Sequence, residues 1–285
     1  MAIGPASPGA AQDSASGNDA LDRATFALNN QRPQDAAHIA GEVLKADPRQ
    51  TRALYILGYA LLAQGRAEDA IAPLESAGRA KQDPDIDTAL AIALRQAGRL
   101  DDALSRLKRT AKRHPRFAPA FRELGSLLFA TGRYDEAIAA LRRGLDVAPM
   151  TPELSIELGY VFLHRRDSAN AKTAFARALS IVPNAPEALF GMAKAHQEIG
   201  ENEAAAGYFR RYLMGRPGDA GAWLTLGHCL LELGQRDAGY DCFRAVARNN
   251  HERYAEALHA LVASGRGRFW LRPTAAARFM RGKRS

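Results

Sequence analysis

The side chains that could do chemistry are few and badly spaced for it. Seven histidines fall at positions 38, 114, 164, 196, 228, 251 and 259, and none forms a His-Glu-x-x-His pair or another close ligand spacing. His164, His196 and His228 lie 32 residues apart, which suits a shared metal only if they land on one face of successive elements. Cys229 and Cys242 are too few for a disulfide scaffold or a structural zinc site, and both sit beside large apolar residues, as reduced core thiols do. Asp101–Asp102, Asp135–Glu136 and Glu201 have the residue types of general acid–base catalysis. No Gly-x-Ser-x-Gly turn and no nucleophile paired with a histidine accompanies them. Glycines are numerous, but none follows a strand in a phosphate-cradling arrangement. The expectation is therefore a non-enzyme: no catalytic residue, no metal and no cofactor.

The elements that would position any functional side chain are helices. The chain has 285 residues, 47% hydrophobic and 25% charged, enough to bury a substantial interior and to exclude wholesale disorder. Alanine makes up roughly a fifth of it, which favours helix. Of the net charge of +8, residues 266–285 carry +7 (Arg266, Arg268, Arg272, Arg278, Arg281, Lys283, Arg284) and no acid, leaving about +1 for the rest. The basic pI therefore describes an arm rather than the body. Residues 1–19 are small, polar and Pro/Gly-containing and read as a flexible tail. The first basic residue is Arg23, too late for a secretory leader, and the longest uncharged apolar stretch, 53–65, is too short to cross a bilayer. The expected location is cytoplasmic. An arginine to lysine ratio of 32 to 7 fits a GC-rich bacterial coding sequence.

Three ladders repeat in one register. Pro115, Pro149, Pro183 and Pro217 are spaced by 34 residues. Gly58, Ala91, Gly125, Gly159, Ala193 and Gly227 form a second ladder, and Ala70, Ala103, Ala137, Ala171, Ala205 and Gly239 a third, both with one step of 33 and then steps of 34. Within the repeat at 118–151, Phe121, Leu124 and Leu128 define one helical face, Gly132 marks a turn, Asp135 and Glu136 open a second helix, and Pro149 closes it. Each repeat is a helical hairpin, with small residues such as Gly125 and Ala137 where its helices approach. The acidic pairs recur at second-helix starts, so a helix-terminus role accounts for them. His164, His196 and His228 fall at repeat positions 13, 11 and 9, stepping around their helices instead of converging.

The pattern resembles the tetratricopeptide repeat. The resemblance is carried by Trp223, Leu226, Gly227, Leu230, Gly234 and Phe243, and by Leu158, Gly159, Phe162, Ala171, Phe175, Ala178, Leu179 and Pro183. Six clear repeats begin at about Thr51, Pro84, Ala118, Pro152, Pro186 and Ala220, covering 51–251. A degenerate repeat at 20–50 carries Ala36, Ala40, Leu44 and Pro48 but no Leu-Gly pair. Arg166 replaces a turn glycine, Gly239 an alanine, and His251 the last proline. Residues 252–265, with Tyr254, Ala257, Leu258 and Leu261 on one helical face, are expected to cap the array. The resemblance implies an all-α fold, a right-handed superhelical solenoid of hairpins with an inner groove lined mainly by first helices.

That register places a partner-binding groove at Tyr55, Tyr59, Ile92, Arg95, Arg122, Glu123, Phe129, Ile156, Tyr160, His164, Phe190, Lys194, Leu224 and His228. None of these is needed to pack a hairpin on the pattern alone, and tyrosines beside arginines suit binding hot spots. Two specialised versions of the family are disfavoured, because the asparagines of a C-terminal carboxylate clamp and of an asparagine-lined sugar-transferase groove are missing. RNA-reading helical repeats have a different motif. In the arm, Arg268, Phe269, Trp270, Arg272, Phe279 and Arg281 are candidate contacts, open between a solvated tail, an anionic membrane surface, nucleic acid and docking on the last hairpin. Nucleic acid is the least favoured, because the body has no basic face by composition. The functional expectation is a scaffold that holds a protein or peptide partner in its groove. The alternatives are an accessory or regulatory subunit of a separate enzyme, or a peripheral membrane assembly factor using the arm. The 20 residues after 265 leave no room for an attached catalytic domain.

Overall fold

The computed structural model describes residues 8–249, with side-chain surroundings for 17–247. Fourteen helices and no strand occur among these residues, and consecutive helices pack as seven hairpins. The chain divides into two compact units at Val147. The N-terminal unit holds α1 (Pro8–Asn29), α2 (Pro33–Ala46), α3 (Thr51–Ala63), α4 (Ala67–Ala80), α5 (Pro84–Gln96), α6 (Leu100–Arg113), α7 (Ala118–Ala130) and α8 (Tyr134–Val147). The C-terminal unit holds α9 (Pro152–His164), α10 (Ser168–Ile181), α11 (Pro186–Glu198), α12 (Asn202–Gly215), α13 (Ala220–Glu232) and α14 (Arg236–Asn249). The first helices α3, α5, α7, α9, α11 and α13 start on the residues that open the six sequence repeats.

One expectation needs correcting at the N-terminus. Residues 8–19, read as a flexible tail, belong to α1. Pro8 suits the first helical turn, where no backbone donor is needed, and the alanines that follow favour helix over the intervening glycines. The capping segment 252–265 and the arm 266–285 lie outside the described residues.

The hairpin turns repeat in the register of the sequence ladders. Gln31, Gly65, Gly98, Gly132, Arg166, Gly200 and Gly234 all have positive φ, between 57° and 79°. Each follows a first helix and lets the chain reverse into the second, a left-handed conformation that glycine adopts without penalty. Gln31 and Arg166 adopt it with a side chain, so the missing glycines there changed the strain and not the turn.

A second ladder forms the core. The second-helix residue facing the small residue of the first helix is Leu74, Leu107 or Leu141 in the N-terminal unit and Phe175, Phe209 or Phe243 in the C-terminal unit, all at most 1% exposed. A Cβ at Gly125 would stand 2.5 Å from Leu141 Cγ, and one at Gly159 would stand 2.6 Å from the Phe175 ring, so neither position has room for a side chain. Small residues set helix spacing here because interiors are close-packed.

The acids at second-helix starts do more than face a helix dipole. Arg32–Asp35 (2.5 Å), Arg66–Asp69 (2.8 Å), Arg99–Asp102 (2.7 Å) and Arg133–Glu136 (2.5 Å) form a repeated ion pair in the N-terminal unit. In the C-terminal unit, Asp167 caps α10 through the Asn170 backbone N–H (3.1 Å), and Glu201 takes Lys172 (3.1 Å) and His196. Near-neutral composition also hides uneven charge. Arg109, Lys112 and Arg113 on α6 and Arg116 just beyond it are exposed at spacings of three and four, and no ion pair is found for them among the described residues. The expectation that the body has no basic face is therefore corrected.

Candidate functional site

Helical spacing gathers the site in the N-terminal unit. Arg52, Tyr55, Ile56 and Tyr59 lie at i, i+3, i+4 and i+7 of α3, and Asp85, Thr88, Ala89 and Ile92 repeat that spacing on α5. With Thr25, Leu28 and Asn29 of α1 and Pro119, Arg122 and Glu123 of α7, they line an open cleft of about 510 Å³. The Tyr55 and Tyr59 rings tilt against each other at 6.2 Å, and Tyr59 is 45% exposed. Burial, with the nearby Asp85 charge second, pushes the Tyr55 hydroxyl up to about 12, so it stays a neutral donor.

Charges around the cleft are mostly spoken for. Arg52 donates to Asp22 at 2.5 Å, Lys81 meets Asp83 at 2.8 Å, and Arg106 meets Asp87 at 2.6 Å. Glu123, only 7% exposed, is held by Arg122 at 2.7 Å and Arg95 at 3.7 Å. Asp85 differs: its carboxyl is raised above the ordinary aspartate value, first by burial and then by the Asp83 charge. Such an arrangement can hold a chain segment through apolar, aromatic and ionic contacts together.

Of the expected groove residues, the structure brings Tyr55, Tyr59, Ile92, Arg122 and Glu123 into this cleft. Arg95 reaches it through Glu123. Phe129 packs instead against Tyr134, with ring centroids at 5.9 Å.

The expected groove residues of the C-terminal unit also make contacts within the fold. Tyr160 sets its ring against Phe175 edge-on at 5.2 Å and donates to the Glu187 carbonyl at 2.9 Å. Phe190 packs on Phe209 at 5.8 Å and Tyr212 at 5.2 Å, and Lys194 lies 6.0 Å over the Phe190 ring. His228 stands at 5.3 Å against Phe243 with the rest of its surface exposed, and partial desolvation by its neighbours lowers its proton affinity. Ile156 and Leu224 are half-buried, while His164 is exposed at the end of α9.

Sequence reasoning missed Arg52, Asp85, Thr88 and the α1 residues. Arg52 and Asp85 occupy repeat position 2 and Thr88 position 5, both in the groove register, so the signal was present. Selecting aromatic and large apolar residues passed over it. The contribution of α1 was hidden because its repeat lacks the Leu-Gly pair.

Other chemistry gains no support. Burial raises both cysteine thiols, Cys242 to about 11, which keeps them protonated. Among the described residues, no three His, Cys, Asp or Glu side chains gather as metal ligands, and no helix is long and apolar enough to cross a membrane.

The tetratricopeptide repeat model matches residues 21–84, 88–153, 123–186 and 156–220, and a second model of that description matches 200–264. The chain belongs to the tetratricopeptide repeat family. Its fold is the all-α hairpin solenoid of that family, whose members are in general protein–protein interaction scaffolds without catalysis, and neither model indicates an enzyme. PilF of Pseudomonas aeruginosa has 23% identity and a TM-score of 0.63, with 72% of this chain and 97% of that one covered. A thermophilic tetratricopeptide protein of Thermus thermophilus, TTC0263, has 23% identity and a TM-score of 0.53, covering 64% and 99%. YrrB, described as having an unusual peptide-binding site, has 20% identity and a TM-score of 0.56, covering 66% and 96%. At these identities the likeness concerns the fold alone. No curated protein sequence gives a significant match.

Proposed function

We propose that this tetratricopeptide protein is a non-enzymatic adaptor that binds a peptide segment of a partner protein in the cleft formed by α1, α3, α5 and α7. One observation carries the reading: Tyr59 stays 45% exposed at the mouth of a cleft whose four helices each contribute one face to it. A tyrosine of that kind supplies broad contact area with little side-chain entropy to lose. Arg122 adds a half-exposed guanidinium from α7 to the same cleft.

The direct test is capture of partners from the native organism by the full-length protein and by a Tyr59→Ala/Arg122→Ala double variant. Both substitutions leave the buried core intact, and Arg95 still faces Glu123, so far-UV circular dichroism should not change. Loss of a captured protein is the expected result. Undiminished capture of the same proteins would refute the assignment of the cleft. Tyr160 is omitted because its substitution would also disturb the packing around Phe175.

A further inference from the structure

We propose that the cleft selects a basic side chain, a lysine or arginine of the bound peptide, which lies against Tyr55 and Tyr59 and pairs with the carboxylate of Asp85. This rests on the peptide-binding reading and adds the chemistry recognised at one subsite.

Asp85 begins α5, where an acid is ordinarily explained by helix capping or the helix dipole. The capping role is already filled, because the Asp83 side chain accepts from the Asp85 backbone N–H at 3.0 Å. Cations nearby are filled as well: Lys81 by Asp83 (2.8 Å), Arg52 by Asp22 (2.5 Å) and Arg106 by Asp87 (2.6 Å). Among the described residues Asp85 has no ion-pair partner. It is a carboxylate facing an aromatic-lined cleft, and the one cation of the described chain whose charge reaches it, Lys81, is held by Asp83.

Thr88 supplies an independent observation. It lies one helical turn further along the same face, is 6% exposed, lines the same cleft, and its Oγ1 has no hydrogen-bond partner. Helical threonines elsewhere satisfy their hydroxyls on the carbonyl four residues earlier: Thr25 on Leu21 (2.8 Å), Thr110 on Arg106 (3.0 Å), Thr173 on Ala169 (3.1 Å) and Thr225 on Gly221 (2.9 Å). An orphaned hydroxyl this deeply buried is a defect unless a ligand pairs with it, and its lone pairs can accept from a donor. Ammonium and guanidinium groups are multiple donors with no acceptor, so one such group can serve both Asp85 and Thr88. The tyrosine faces attract the same cation through their ring quadrupoles. A carboxylate ligand could accept from Thr88 but would be repelled by Asp85, so the charge of Asp85 decides for a cation.

The test pans a randomised hexapeptide library on the full-length protein and on its Asp85→Asn, Glu68→Gln and Tyr59→Ala variants. Glu68 is an exposed acid on α4 outside the cleft, so its variant keeps every feature invoked here. Comparing variants cancels whatever acidic peptides the basic arm attracts. Lysine or arginine should be enriched by the parent and by Glu68→Gln and not by Asp85→Asn, with an enriched peptide binding Asp85→Asn roughly tenfold more weakly. Cleft-bound peptides without a basic preference, or with one that survives Asp85→Asn, would overturn this inference and leave peptide binding standing. If no peptide is enriched in a way that Tyr59→Ala abolishes, both readings fall.

Discussion

Tyr59 in the N-terminal unit and Tyr160 in the C-terminal unit occupy the same repeat position, each immediately after the glycine on which the facing helix closes. Opposite Gly58 stands Leu74, and opposite Gly159 stands Phe175. The leucine offers no aromatic edge, and Tyr59 is left 45% exposed, its ring tilted against Tyr55. The phenylalanine presents its ring to Tyr160 at 5.2 Å, and the tyrosine hydroxyl is fixed on the Glu187 carbonyl. Phe243 meets His228, at the same repeat position, at 5.3 Å. One buried substitution along a ladder thus changes which contacts within the fold the neighbouring first-helix side chain finds. Repeat position alone does not make a binding residue.

The largest effect that probes this contrast comes from filling the glycines. Gly159 and Gly191 press on the same Phe175 ring, one from α9 and one from α11, so the ring has nowhere to move when a Cβ is added. Gly159→Ala should lower stability by about 3 kcal/mol. At Gly58 the obstacle is a leucine side chain that can change rotamer, and Gly58→Ala should cost about 1–2 kcal/mol. Urea unfolding followed by circular dichroism gives the comparison. Equal losses at the two sites would show that the leucine and phenylalanine ladders are equally rigid, removing the physical basis of the difference between the units.

Much of this was legible in the chain itself, for identifiable reasons. The 34-residue ladders of glycine, alanine and proline report backbone requirements, which side-chain context rarely overrides, so hairpin starts and turns could be placed closely. The cleft was legible in part. Tyr55, Tyr59, Ile92, Arg122 and Glu123 follow from the groove register because a helix face is fixed by its period. The contacts of Tyr160, Phe190 and His228 within the fold were not legible, because Phe175, Phe209 and Phe243 lie 15 to 19 residues away on other helices. Asp85 and Thr88 went unnoticed for a different reason. A missing interaction has no sequence pattern, and only the satisfied pairs Lys81–Asp83, Arg52–Asp22 and Arg106–Asp87 reveal which group was left over.

A medium-sized effect tests whether both units share the same turn. Gln31 and Arg166 hold φ of 57° and 59°, where their homologous positions carry glycine. Replacing either with glycine relieves left-handed strain but frees the unfolded backbone, so the net gain should be about 0.5–1 kcal/mol. Gly132→Ala should lose about 1 kcal/mol by the reverse argument, since no neighbour obstructs its Cβ. A thermal melt suffices to check the signs. Destabilisation by Arg166→Gly would mean that the arginine side chain contributes more than its strained backbone costs.

The smallest effect returns to the two acids at repeat position 2 and is informative because of its sign. In the C-terminal unit Glu187 pairs with Arg216 at 3.2 Å, an exposed ion pair, and Glu187→Gln should lose about 0.3 kcal/mol or less, vanishing in high salt. Asp85 is its counterpart in the N-terminal unit and has no such partner. Its raised folded-state pKa means that the folded chain holds the proton more tightly than the unfolded chain, so the stabilisation from protonation is complete below about 3.8 and is lost as pH rises through the raised value. Asp85→Asn should therefore leave the melting temperature equal or slightly higher at neutral pH, with the difference from the parent closing as the pH falls toward 3.8. Asp83 has the opposite sign, since Lys81 lowers its pKa, and its stabilisation is present above 3.8 and lost as the pH falls through the lowered value. Melting curves of Asp83→Asn and Asp85→Asn between pH 3 and pH 7 should thus diverge in opposite directions from the parent. If Asp85→Asn instead loses stability at neutral pH, Asp85 is a structural residue like Glu187, and the N-terminal cleft has no unpaired charge to offer a partner.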